Sequence, residues 1–125
     1  MRICISTEAK QELRSLRQLD RETGIALDAC IEMLALDANE FEGDEGFSIK
    51  RIGGLFRRGI RVYRVKYEKY IFGLRIFFFS VAGKDCIFVT GIHQRGDLGV
   101  GMDYDFSKEP FVRAQRYWGM KDRLC

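Results

Sequence analysis

The stretch RVYRVKYEKYIFGLRIFFF, residues 61–79, constrains the fold more than any other part of the chain. It reads as two strands and a turn. In the first strand Tyr63, Val65 and Tyr67 share one face, while Val62, Arg64, Lys66 and Glu68 share the other. In the second, Leu74, Ile76 and Phe78 oppose Gly73, Arg75, Phe77 and Phe79. A one-residue slip would turn every apolar side chain to the wrong face, so only one register class keeps the two apolar sets together. A four-residue loop, Lys69 to Phe72, satisfies it and sets Tyr67 against Leu74, Val65 against Ile76 and Tyr63 against Phe78. The same register brings Lys66 opposite Arg75 and Arg64 opposite Phe77. Like charges facing each other across a sheet are destabilising. The expectation is therefore that an anion sits between them, the hairpin presenting two or three fixed cations to a phosphate. The alternative is that Arg75 pairs with a carboxylate from elsewhere, such as Asp97 or Asp103.

The charge around this hairpin is lopsided. Residues 1–46 hold five Lys/Arg against eleven Asp/Glu, a balance of −6, and residues 47–125 hold sixteen against seven, a balance of +9. Between positions 50 and 75 there are nine basic residues and a single acid, Glu68. A local field of that sign suits phosphates. Lys50, Arg51, Arg57, Arg58 and Arg61 extend the basic stretch and are candidate RNA contacts, with Phe77 as a stacking platform for a base.

The chain of 125 residues, 46% hydrophobic and 31% charged, is expected to form one domain over 1–125 with a single core. RICIS (2–6) is a first strand. Ser6 or Thr7 caps a helix carrying Leu13, Leu16 and Leu19. A second helix starts near Glu22–Gly24, with Ile25, Ala29, Met33 and Leu36 at helical spacing and Leu27, Cys30 and Leu34 widening the stripe. Residues 40–47 read as a loop, and Gly53-Gly54 marks a bend or a close approach. Strands are predicted over 60–68, 73–81 and 86–93, with a tight turn at Gly83-Lys84. A long Gly/Asp loop spans 96–106. A last helix runs from Ser107, its expected N-cap, to about Met120, with Glu109 and Pro110 in its first turn. The fold class is α+β: an N-terminal strand and helical hairpin packed on a small antiparallel sheet, closed by a C-terminal helix.

No apolar stretch has the length of a signal peptide core or a membrane span, and the expected location is the cytoplasm. The four cysteines, Cys4, Cys30, Cys86 and Cys125, contain no CxxC pair and stand beside a single histidine. They are expected to be buried or incidental thiols, with no metal and no other cofactor.

The succession YRVKYEK, GLRIFFFSV, IFVTGIHQRG and KEPFVRAQRYW resembles the RelE/HigB toxins of bacterial toxin–antitoxin systems, within the wider RelE/ParE superfamily. The likeness covers roughly residues 48–119. It implies a small microbial-RNase-like fold and an mRNA interferase that cuts mRNA on the ribosome without metal. In such chemistry the 2′-hydroxyl attacks the adjacent phosphorus, basic residues stabilise the transition state, and an acid protonates the leaving 5′-oxygen. By position, Arg64 and Lys66 match the basic residues of the family's central strand. Arg75 matches the arginine of the next strand, and Arg95 the basic residue that ends the last one. The family also implies a cognate antitoxin as partner. This chain departs from the pattern at Phe111, where many relatives carry a tyrosine. Tyr104, if its loop folds back, or His93, whose ordinary pKa suits acid–base work, would then move the proton. The alternatives are a ParE-like gyrase-inhibiting toxin and a non-catalytic RNA-binding module.

Overall fold

The computed structural model describes residues 1–36, 46–100 and 104–125. Strand β1 (Arg2–Ile5) leads into helix α1 (Thr7–Leu19), whose first turn is capped by Ser6: its Oγ accepts the Ala9 amide at 3.0 Å. Asp20 is extended, so it ends α1. Its carboxylate accepts from the Glu22 amide and the Thr23 hydroxyl, so it also caps helix α2 (Arg21–Met33). One residue thus makes the turn of a helical hairpin. The helices cross at Gly24, where a Cβ would lie 2.8 Å from Arg17 Cβ.

The hairpin's phase differs from the sequence expectation. Ile25 is 58% exposed and Leu36 54%, whereas Leu27, Cys30, Ile31 and Leu34 are buried. Close approach at Gly24 rotates α2 so that the set read as a widening of the stripe is the true core face. Leu19, expected on the apolar side of α1, is exposed.

The sheet runs β1-β5-β4-β3-β2, with β2 Phe47–Arg51, β3 Tyr63–Tyr67, β4 Leu74–Val81 and β5 Cys86–Gln94. β1 lies parallel to β5 and every other pair is antiparallel, so the α+β class holds but the sheet is mixed. SIKR (48–51), outside the strands predicted from sequence, lies within the far edge strand β2. At Gly53-Gly54 the chain turns into a short helix, α3 (Gly53–Phe56). Gly54 is needed there because a Cβ would meet the Phe106 ring at 2.4 Å. The β3–β4 hairpin has the expected register: Tyr63 opposes Phe78, Arg64 opposes Phe77 and Val65 opposes Ile76.

Two cores flank the sheet. On one side Val65, Ile76 and Val89 pack beneath Ala9, Leu13 and Leu27 of the helical hairpin. On the other, Phe77, Phe79 and Phe88 pack with Leu55 and with Phe111 and Ala114 of helix α4 (Glu109–Gly119). Lys108, not Ser107, sits at the α4 N-cap. Ser107 instead donates its amide and hydroxyl to the Asp105 carboxylate, forming a separate turn before the helix.

Strand β5 is bulged. Phe78 opposes Val89 but Phe77 opposes Gly91, so Thr90 is the extra residue. The bulge turns Gly91 and His93 toward α4, onto the face of Phe77 and Arg75. It also leaves an open edge beyond β1, which side chains close. Ser6 Oγ and Arg113 Nη1 donate to the Thr90 carbonyl, and the Ile92 amide donates to Glu12 Oε1 at 3.0 Å.

The expectation of free thiols holds for Cys4 and Cys30 but not for the other pair: Cys86 and Cys125 form a disulfide. The tail that carries Cys125 folds back along the start of β5, a return that local sequence could not show. Burial pushes the Cys30 thiol up to about 11, so it stays protonated.

At Gly91 a Cβ would lie 2.2 Å from His93 Nε2 and 2.7 Å from Arg113 Nη1. Gly91→Ala should therefore cost about 1–3 kcal/mol in denaturant unfolding, the usual scale of overpacking. Gly96→Ala, with nothing within 4 Å of its Cβ, should change stability by less than about 0.5 kcal/mol.

Candidate functional site

Strand alternation decides which cations share the α4 face of the sheet. Lys50 stands directly opposite Arg64, Lys66 opposite Ser48, and Arg64 opposite Phe77. Lys50, Arg64 and Lys66 therefore line one surface, and Lys50 and Arg64 form a like-charged cross-strand pair. Arg64 is half-buried. Its Nη1 is fully buried and has no hydrogen-bond partner among the described residues.

The surface is bordered by aromatic rings. Phe111 is buried against Phe77, Tyr104 and Phe106, with ring centroids 5.4, 5.3 and 4.9 Å away. Arg95 lies over the Tyr104 ring at 5.2 Å, and Arg58 over the Phe106 ring at 5.8 Å. The loop before α4 thus does fold back. The Asp105 amide donates to the Leu98 carbonyl and closes it, which sets Tyr104 beside Phe111. Residues 101–103 of that loop, Asp103 among them, lie outside the described residues, as does most of the expected loop 40–47.

Four sequence-selected residues stand differently from expectation. Arg75 is 6% exposed and bonds Glu68 Oε1 at 2.8 Å, with its Nη1 also donating to the Leu74 carbonyl. The β3–β4 ladder ends at Val65–Ile76, before Lys66. The carboxylate beside Arg75 is therefore internal, from Glu68 and not Asp97, and no phosphate is needed there; Asp103 lies outside the described residues. Glu68 accepts the Gly73 amide, bonds Arg75 and feels Lys66, and together these hold its carboxyl below the usual range against a smaller opposing effect of burial. Arg75 thus fastens the hairpin loop and is not offered to a ligand.

His93 is 5% exposed, edge-on to Phe77 at 4.9 Å, with Nδ1 3.7 Å from Glu12. Burial and, second, the nearby Arg113 guanidinium lower its pKa to about 3. It is neutral at physiological pH and has no proton to give. Phe77 is fully buried, so it cannot stack on a base. Arg51 opposes Tyr63, which places it on the other face of the sheet, where its guanidinium lies 5.2 Å from the Phe56 ring. Arg57 and Arg61 are exposed and sit at the end of α3 and ahead of β3.

The chain matches no protein-family model, no curated protein and no solved structure.

Sequence reasoning missed the junction beneath this surface. Arg113 donates to both oxygens of Glu12 and both of Glu109, at 2.7–3.1 Å. Burial opposes its charge, but the two carboxylates outweigh burial and hold its pKa above the ordinary arginine value. The i,i+4 spacing of Glu109 and Arg113 was a visible signal. The pairing with Glu12 was not, because the two are 101 positions apart.

Two outcomes are expected. The Glu68–Arg75 pair is lopsided in exposure, with side chains 33% and 7% exposed. Glu68→Gln strands a buried cation and should cost roughly 3–5 kcal/mol. Arg75→Gln leaves a carboxylate that water can reach and should cost about 1–3 kcal/mol. Negligible losses from both substitutions in urea unfolding would show that the pair does not hold the loop.

His93 generates the second. Its folded pKa lies below the ordinary value of about 6.5, so the unfolded chain binds the extra proton. Its stabilising contribution is complete above that value and is lost as pH falls toward 3. Between pH 7 and pH 5 the protein should lose about 2 kcal/mol more than His93→Gln does. Parallel pH profiles of the two would place the proton uptake on other groups.

Proposed function

We propose that the protein binds RNA across the α4 face of its sheet and cleaves it as a toxin of the RelE/HigB kind, acting on mRNA in the ribosome. One observation carries the reading: the buried, unpartnered Nη1 of Arg64, flanked on its face by Lys50 and Lys66. A desolvated guanidinium nitrogen without an acceptor is costly. A phosphate oxygen supplies the missing acceptor once the half-buried Arg64 side chain turns outward, and arginine's planar fork grips two such oxygens at once.

In this reading Arg64 and Lys66 hold the scissile phosphate and stabilise the charge that gathers on it as the 2′-hydroxyl attacks. Arg95 and Arg58, seated over Tyr104 and Phe106, bracket the flanking backbone. Tyr104 remains as the proton donor to the leaving 5′-oxygen, since His93 is buried and neutral and Phe111 carries no hydroxyl. No strong base stands on the surface among the described residues, so alignment of the RNA must come from the ribosome. The same cationic surface is the part an antitoxin with an acidic segment would cover.

The test is cleavage of a reporter mRNA in a translating extract. The protein should cut it there and leave naked RNA intact. Arg64→Ala and Tyr104→Phe should each slow cutting by roughly 10²-fold. His93→Gln should cut at the wild-type rate per folded molecule. A folded protein that leaves the message intact, yet binds RNA with a steep salt dependence, is a binding module and not a nuclease. Altered DNA topology in place of either would favour the gyrase-directed alternative.

A further inference from the structure

The fold gathers three of the four cysteines from positions 4, 86 and 125. Their sulfur atoms all lie within 4.8 Å of one another, and Cys4 Sγ is 3.5 Å from Cys86 Sγ. We propose that, once the Cys86–Cys125 bond is reduced, these three thiols form a site for a thiophilic metal ion, zinc in the first instance. The disulfide would then be the oxidised, metal-free state of the same site.

The spacing fits. Zinc–thiolate bonds of about 2.3 Å put sulfur atoms about 3.8 Å apart in a tetrahedral site. The Cys4–Cys86 separation is already near that value. Opening the remaining pair needs only side-chain rotation if the backbone stays in place, and the tail carrying Cys125 is held by more than the disulfide. Lys84 Nζ donates to the Asp122 and Leu124 carbonyls at 2.7 and 2.8 Å. Leu124 packs against the α4-side core, and Lys121 lies over the Trp118 ring at 4.7 Å.

The electrostatics also fit. Three thiolates around a divalent ion carry one net negative charge. Lys84 and Arg2, the latter donating to the Cys125 carbonyl at 3.4 Å, stand beside them to offset it. Neighbouring cations also favour thiolate over thiol. Cys86 is 1% exposed, Cys4 is half-buried and Cys125 is exposed, so the ion would enter from the Cys125 side and keep its fourth position open there. Loading requires two electrons and two protons for the disulfide, from a phosphine or dithiol reductant and water. The three thiol protons are released as the metal binds.

The experiment is zinc titration of the full chain against a chromogenic chelator after phosphine reduction, with cadmium in a parallel sample to read the thiolate-to-metal charge-transfer absorption. One ion per chain is expected, with that absorption present. Cys4→Ser and Cys125→Ser should each weaken zinc at least tenfold to a hundredfold. The oxidised protein should bind no better than these variants, and Cys30→Ser should bind like wild type. Thermal melts of each sample separate loss of ligand from loss of fold. Absence of charge transfer in the reduced, folded protein overturns the proposal, as does undiminished zinc binding in folded Cys4→Ser.

Discussion

The guanidinium of Arg113 is the point on which the architecture rests. It joins α4 to α1 through Glu12, to its own helix through Glu109, and to the bulged strand through the Thr90 carbonyl. Each contact answers a need that another element creates. The bulge in β5 leaves Thr90 and Ile92 beyond the reach of β1, and an open strand edge is a liability. Glu12 accepts the Ile92 amide and would itself be a partly buried unpaired charge without Arg113. Arg113, in turn, is buried deeply enough that one carboxylate would be a thin match. The cluster is affordable only as a whole, since a half-satisfied buried network is worse than an apolar core.

This junction also fixes what His93 can do. The bulge that opens the β5 edge reverses alternation after Val89, and that reversal carries His93 under α4, beside Arg113 and across from Arg75. Out of water and next to Arg113, imidazole stays neutral. A histidine followed two positions later by an arginine reads as a catalytic dyad when the strand is taken as regular. One extra residue in the ladder sets it on the α4 face, where packing against Phe77 leaves it 5% exposed. Bulges leave little trace in a hydrophobic pattern, which is why this assignment was beyond the sequence.

Other features were legible for reasons that can be named. The β3–β4 register followed from alternation, because a slip would have exposed Val65 and Ile76. The like-charge argument chose the wrong anion: a phosphate was expected at Arg75, and the carboxylate of Glu68 stands there. Glu68 lies on the same face of the same hairpin, so the nearest candidate was in view all along. The α2 stripe was misphased because periodicity alone ranks Ile25 and Leu27 equally. Only the close packing at Gly24 selects between them, and that depends on a partner helix. The disulfide and the Glu12–Arg113 pair join distant positions, where local patterns carry no information.

The lopsided charge of the chain resolves into something narrower than two oppositely charged halves. The acids of α1 are spent internally: Glu8 pairs with Arg116 and Tyr117, and Glu12 with Arg113. Glu68 matches Arg75. Much of the positive surplus near α4 and β4 is thereby neutralised. Along β2, α3 and β3 the opposite holds. Lys50, Arg58, Arg64 and Lys66 enter no salt bridge among the described residues, and Arg64 faces Lys50 across the ladder. That opposition costs a few tenths of a kcal/mol, and a carboxylate in place of Ser48 would have relieved the strip. Among the described residues, carboxylates meet the buried cations Arg75 and Arg113, and none meets Lys50, Arg58, Arg64 or Lys66. That imbalance among the described residues is the physical reason to look for a polyanion there and not at Arg75 or Arg113.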